Sequence, residues 1–135
     1  MDAAALQATL AGIGAGYVMQ LGLRVEEASA GRVVLSLPVA PELVHGGGVL
    51  CGQAIMSAAD TAMLLAMIAQ LGEFRPMTTV QMQTSFLRPV PKDAGSVKVV
   101  ATVLRAGKTL SYGEIEVITA DGKLAAHATA TYALI

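Results

Sequence analysis

The sequence predicts an α+β chain in which one antiparallel β-sheet curls around a single buried helix. Three observations lead there. The stretch GQAIMSAADTAMLLAMIAQL, Gly52–Leu71, is built of Ala, Met and Leu with few β-branched residues, and Gly72 follows where a helix stop belongs. Beyond it the pattern changes to strand-like runs, MTTVQMQTSFLRPV, GSVKVVATVLRAG, KTLSYGEIEVITADG and KLAAHATATYALI. Turn residues punctuate those runs: Pro89-Val90-Pro91, Ala106-Gly107 and Ala120-Asp121-Gly122. At 135 residues the chain fits one domain spanning 1–135.

The elements follow in order. Residues 2–11 are rich in Ala and Leu and suit a short helix, ended by Gly12, Gly14 and Gly16. Leu21–Ala28 and Arg32–Val39 are strand-like, with Ser29-Ala30-Gly31 as the turn between them. Pro38, Pro41 and Gly46 to Gly48 mark a loop. The helix 52–71 carries apolar residues on nearly every face, which predicts burial all round. The four closing strands with short turns predict an antiparallel meander packed on that helix.

Composition narrows the function. Apolar residues make up 54% and charged residues 14%, with a mean hydropathy of +0.60. That surplus exceeds what a small monomer needs for its core and predicts a homo-oligomer, a dimer or a dimer of dimers. The net charge is −1 and no basic stripe occurs, which argues against a nucleic-acid partner. One cysteine, Cys51, allows no intramolecular disulfide and offers no metal framework. MDAAALQATLAGIGAG lacks the basic start of a signal peptide, and the apolar run 54–69 is shorter than the roughly 20 residues of a spanning helix. The expectation is a cytoplasmic protein with no membrane association.

One residue resists this bland picture. Asp60 is the only ionisable side chain between Ala54 and Ala69. A carboxylate among apolar neighbours is normally paired, reached through a cleft, or kept for chemistry. The N-terminal turn of the same helix offers a second device, because its unpaired N–H groups and positive dipole end favour a developing oxyanion. Gly52 there has no side chain to keep a ligand from its amide. Gly52 and Asp60 are eight residues apart, roughly 12 Å along a helix, too far to grip one carbonyl group from a single chain.

Gly48-Val49-Leu50-Cys51-Gly52-Gln53, followed by Ala58-Ala59-Asp60-Thr61-Ala62-Met63, resembles the central motif of acyl-CoA thioesterases of the phenylacetate-pathway (PaaI-like) group. TTVQMQTSFLRPV, Thr78–Val90, and RAGKTLSYGEIEV, Arg105–Val117, are similar to two further motifs of that group. The resemblance covers the chain from about Gly22 onward and implies the hotdog fold. It implies hydrolysis of a small or medium acyl-CoA to free acid and CoA, at a site built between subunits, commonly in a homotetramer. The Gly52 N–H would be the main oxyanion donor, with Gln53 N–H nearby. Asp60 would be nucleophile or general base, Thr79 would help hold the water or intermediate, and His45 would be a polar residue facing the site. Arg88, Lys108 and, less strongly, Arg105 would hold CoA. Neither cofactor nor metal is implied.

Two departures bear on this reading. Cys51 and Gln53 stand where the group usually has His and Gly. No base is matched to Cys51, so it reads as a small apolar residue rather than a nucleophile. His127, between Ala126 and Ala128, reads as structural, and Met56, Met63, Met67, Met77 and Met82 as core and interface filler that could also line an acyl pocket. A hotdog hydratase acting on enoyl or hydroxyacyl thioesters is a second reading, though it wants a His at position 51. A non-catalytic acyl-CoA-binding protein is a third.

Overall fold

The computed structural model describes residues 1–135. The elements are α1 (Ala3–Ile13), α2 (Gly16–Met19), β1 (Arg24–Ser29), β2 (Arg32–Pro38), α3 (Gly52–Leu71), β3 (Met77–Phe86), β4 (Ser96–Ala106), β5 (Leu110–Ile118) and β6 (Leu124–Leu134). All six strands form one antiparallel sheet that wraps around α3. The α+β reading holds, and the arrangement is the hotdog architecture. α3 has the bounds that its composition predicts. It stops at Gly72, whose φ of 82° places it in the left-handed region open to glycine, with its N–H donating to the Ile68 carbonyl at 2.8 Å.

The predicted four-strand meander is corrected. The sheet order is β1-β2-β4-β5-β6-β3, so of the four closing strands only β4, β5 and β6 follow one another, and β3 lies at the far edge beside β6. The cause is the connection after β3. Its residues are tied to the loop before α3 rather than folded into a hairpin: the Leu50 N–H donates to the Val90 carbonyl at 2.8 Å, and the Lys92 N–H to the Gly48 carbonyl at 3.0 Å. Pro89 and Pro91 supply no N–H that could continue a ladder. The edge of β3 away from β6 therefore has no partner strand within the chain.

The helix is not buried all round either. Twelve of its 20 residues are buried against the sheet, among them Ala58, Ala62, Met63, Leu65 and Ile68. Gln53, Met56, Ser57, Asp60 and Leu64 recur at three- or four-residue steps and stay wholly or partly open. Met56 is 40% exposed in the middle of this stripe. By length and hydropathy α3 could cross a membrane, yet 67% of that apolar window is buried inside the fold, as in a core helix.

The N-terminal segment differs modestly from expectation. α1 runs through Gly12 to Ile13, and the separate turn α2 was not predicted. Leu6 and Leu10 pin α1 to the core. Gln7 ties it to the start of β1, donating to the Leu23 carbonyl at 3.1 Å and accepting from the Val25 N–H at 2.6 Å.

Candidate active site

Asp60 sits in the third turn of α3, half-buried on the open stripe. Two hydroxyl groups converge on it from the sheet. Thr79 on β3 and Tyr132 on β6 are directly paired across the strands, so both reach the helix from one level. Thr79 Oγ1 donates to Asp60 Oδ1 at 2.7 Å, and the Tyr132 hydroxyl lies 2.5 Å from the same oxygen and 2.7 Å from the Asp60 backbone carbonyl. The register slips between Thr79 and Gln81, a bulge that leaves Val80 56% exposed on the edge strand.

This arrangement is asymmetric. Oδ1 is held by two hydroxyls, while Oδ2 accepts no hydrogen bond from the chain. A carboxyl fixed by one oxygen and free at the other is oriented without being used up. Burial, and then the charge of Asp60, hold the Tyr132 phenol well above its ordinary range, so it remains an O–H donor at any physiological pH. Tyr132 was missed in the sequence because TATYALI reads as an ordinary strand, with no motif to mark its one buried phenol.

The helix N-terminus forms a second centre. Cys51 precedes Gly52 with no side-chain cap, so the first amides of α3 carry no capping partner. A side chain at Gly52 would meet the Phe86 ring at 3.3 Å, so the residue also makes room for that ring. A cleft of about 280 Å³ opens here, and Gly52, Ile55, Phe86, Arg88 and His45 are among its walls. His45 thus shares a cleft with Gly52, its Nδ1 accepting from the Gly47 N–H at 2.8 Å. Cys51 lines a different cavity with Tyr17, Glu42 and Ala54, away from that cleft. The Gln53 side chain is exposed.

One protomer does not unite these centres. Asp60 and Gly52 open into separate cavities, two helical turns apart. The cations divide as well. Arg88 borders the Gly52 cleft and also a groove of about 420 Å³ shared with Lys123 and Asp121. The Thr119 hydroxyl, with help from Lys123, holds the Asp121 carboxyl below its usual range, which keeps it a partner for Lys123 at 3.8 Å. Arg105 and Lys108 lie at the β4–β5 turn, at the opposite end of the sheet. From Ala125, which accepts from the Arg88 N–H, to Ala133 beside Leu110 is eight residues of β6, about 26 Å. His127 pairs with Glu114 at 3.2 Å on the sheet surface, apart from both centres.

A single long helix wrapped by an antiparallel sheet defines the hotdog fold. Residues 47–126 match the thioesterase superfamily. The chain is 35% identical over 115 residues to the protein named Putative esterase SSO2140 of Saccharolobus solfataricus, covering 85% of this chain and 80% of that one. Among solved structures, the conserved protein PA5202 of Pseudomonas aeruginosa superposes with a TM-score of 0.83 at 34% identity, covering 90% of this chain and 94% of the other. The PaaI protein of the Escherichia coli phenylacetic acid degradation operon shares the fold, with a TM-score of 0.83 at 23% identity over 95% of this chain and 90% of its own. The chain belongs to the thioesterase superfamily.

Proposed function

We propose that the protein hydrolyses small or medium acyl-CoA thioesters, with Asp60 of one protomer and the start of α3 of a partner forming each active site. The observation that carries this reading is the Thr79–Asp60–Tyr132 cluster, which presents one free carboxylate oxygen. The open stripe on α3 and the unpaired edge of β3 adjoin it, and both are surfaces a second copy of the chain would cover. A two-fold axis beside that stripe sets two α3 helices side by side, which closes the gap between Gly52 and Asp60.

The chemistry follows from those groups. The Gly52 and Gln53 amides take the thioester carbonyl oxygen and stabilise the oxyanion. The ionised Asp60 either attacks the carbonyl carbon or takes a proton from a water that attacks it. In the first case the C–S bond breaks, CoA thiolate leaves and is protonated by solvent, and water then cleaves the Asp60 anhydride to free acid. In the second case the proton that Asp60 receives passes to the departing sulfur. Either route yields one acid and one CoA, and none requires a cofactor. Fixing Oδ1 saves the entropy of orienting the carboxylate at the moment of attack.

CoA phosphates are assigned to Arg88, next to the Gly52 cleft, with Lys108 and Arg105 available only from another subunit. Replacing Arg88 by Ala is expected to raise KM for acyl-CoA about five- to tenfold at low salt, less at high salt, with kcat little changed. Steady-state kinetics at two ionic strengths check this. The functional assignment itself is tested by a thiol-release screen across acyl-CoAs of increasing chain length. Turnover of at least one class supports it. Saturable CoA binding without thiol release would favour a non-catalytic binding protein.

A further inference from the structure

The loop before α3 is tied at several points. The His45 N–H donates to the Val49 carbonyl at 3.1 Å, the Gly48 N–H to the His45 carbonyl at 2.9 Å, and the Lys92 N–H to the Gly48 carbonyl at 3.0 Å. Within this turn the imidazole folds back on its own backbone, and the Gly47 N–H donates to His45 Nδ1 at 2.8 Å. A ring nitrogen that accepts from an N–H carries no proton, so the neutral imidazole holds its hydrogen on Nε2. That is the ring's one hydrogen bond, which leaves Nε2 without a partner in the chain, and the residue walls the same cleft as Gly52. Gly47 makes the seat. A Cβ there would stand 2.7 Å from His45 Cε1 and 3.1 Å from Nδ1, in space the ring needs. Its backbone asks for no glycine, since its φ is not positive, unlike that of Gly48 at 79°. What position 47 requires is room for the imidazole.

We propose that Gly47 is a positioning residue, which seats His45 as a neutral Nε2–H donor so that the ring can only donate to the thioester carbonyl oxygen held at Gly52 of the same protomer. This rests on the thioesterase reading. A ring free to turn over or change tautomer would at times present a bare nitrogen, and a lone pair there repels the oxyanion. Seated, it presents a hydrogen at every encounter and needs no reorganisation as charge develops on the oxygen. No proton leaves the ring. The C–S bond breaks by either route through Asp60, and the Nε2–H only shares its hydrogen with the oxygen while the charge is there.

Gly47→Ala tests the seat without altering the imidazole. The atoms in the way belong to the end of a mobile side chain, so the ring moves and the fold persists, as circular dichroism checks. For acyl-CoA hydrolysis kcat should fall about tenfold, with KM moving less than about twofold. His45→Ala should cost at least as much, and adding Gly47→Ala to it should cost nothing more, because no ring is left to hold. His45→Gln, whose amide nitrogen can donate from near the place of Nε2, should stay within about threefold of wild type. Nitrogen-15 NMR reads the ring directly. The chain has two histidines, and the signals lost in His45→Gln are those of His45. In wild type at neutral pH its Nδ1 should be bare and its Nε2 protonated, and Gly47→Ala should give a mixture of tautomers. Wild-type kcat in Gly47→Ala, an equal loss with and without His45, or a proton on Nδ1 in wild type would each overturn the proposal. A seated ring in a protein that releases thiol from no acyl-CoA would instead remove the thioesterase reading and leave the seat standing.

Discussion

Asp60→Asn is expected to lower kcat for acyl-CoA hydrolysis at least about 10²-fold while the oligomer persists. The substitution is nearly isosteric. Its amide oxygen can still accept from Thr79 and Tyr132, whose hydroxyls lie 2.7 and 2.5 Å from Oδ1, so the cluster need not collapse. What is lost is the ionised oxygen that attacks the carbonyl or takes the proton of water. KM should move little, because the nucleotide contacts assigned to Arg88 lie elsewhere. Kinetics together with size-exclusion chromatography check both halves. Turnover near wild type would remove Asp60 from the mechanism.

Tyr132→Phe is expected to cut kcat about tenfold or more with KM little changed, and to destabilise the fold by about 1–3 kcal/mol. The ring stays, so the 4% exposed position remains filled and no cavity forms. The phenol O–H is lost, leaving the Asp60 carbonyl and half of the Oδ1 support without it. The two readouts separate orientation from mere stability, since kcat measured well below the melting temperature reports on orientation alone. A pH signature accompanies them. Because the folded state keeps the phenol protonated while the unfolded chain ionises near pH 10, this stability is fully present below about pH 10 and fades as pH rises beyond it. Phe at position 132 should flatten that alkaline loss in urea titrations run at several pH values. A variant with wild-type kcat would show Thr79 alone to be enough.

How much of this was legible in the sequence differs between levels. α3 was readable because Ala, Met and Leu dominate from about Gly52 onward and a glycine stops them. The strands were readable by period, but the place of β3 was not. Alternation fixes which face a strand buries and is silent on which neighbour it takes, and the deciding hydrogen bonds come from loop residues Gly48, Leu50, Val90 and Lys92. Asp60 stood out by contrast with its neighbours, the central motif pointed to Gly52, and the strand motif Thr78–Val90 pointed to Thr79. Tyr132 could not be found that way, because its role comes from lying 72 positions from Asp60 in sequence and opposite Thr79 in the sheet. The pocket beside Asp60, which Leu10, Ile13 and Val18 also line, was hidden for a similar reason. It belongs to a turn that the glycines at 12, 14 and 16 announced only as a helix end.

The shared site is tested most directly by mixing two dead chains. Gly52→Pro removes the amide donor at a first helical position, where proline's fixed φ is tolerated and the Phe86 ring has to give by only a few tenths of an ångström. Asp60→Asn removes the carboxylate. Co-expressed at equal levels with different tags, each inactive alone, the two should regain about one quarter of wild-type activity, because a mixed pair carries both lesions in one site and none in the other. No recovery in a purified mixed dimer would place both groups in a single protomer's site and contradict the account.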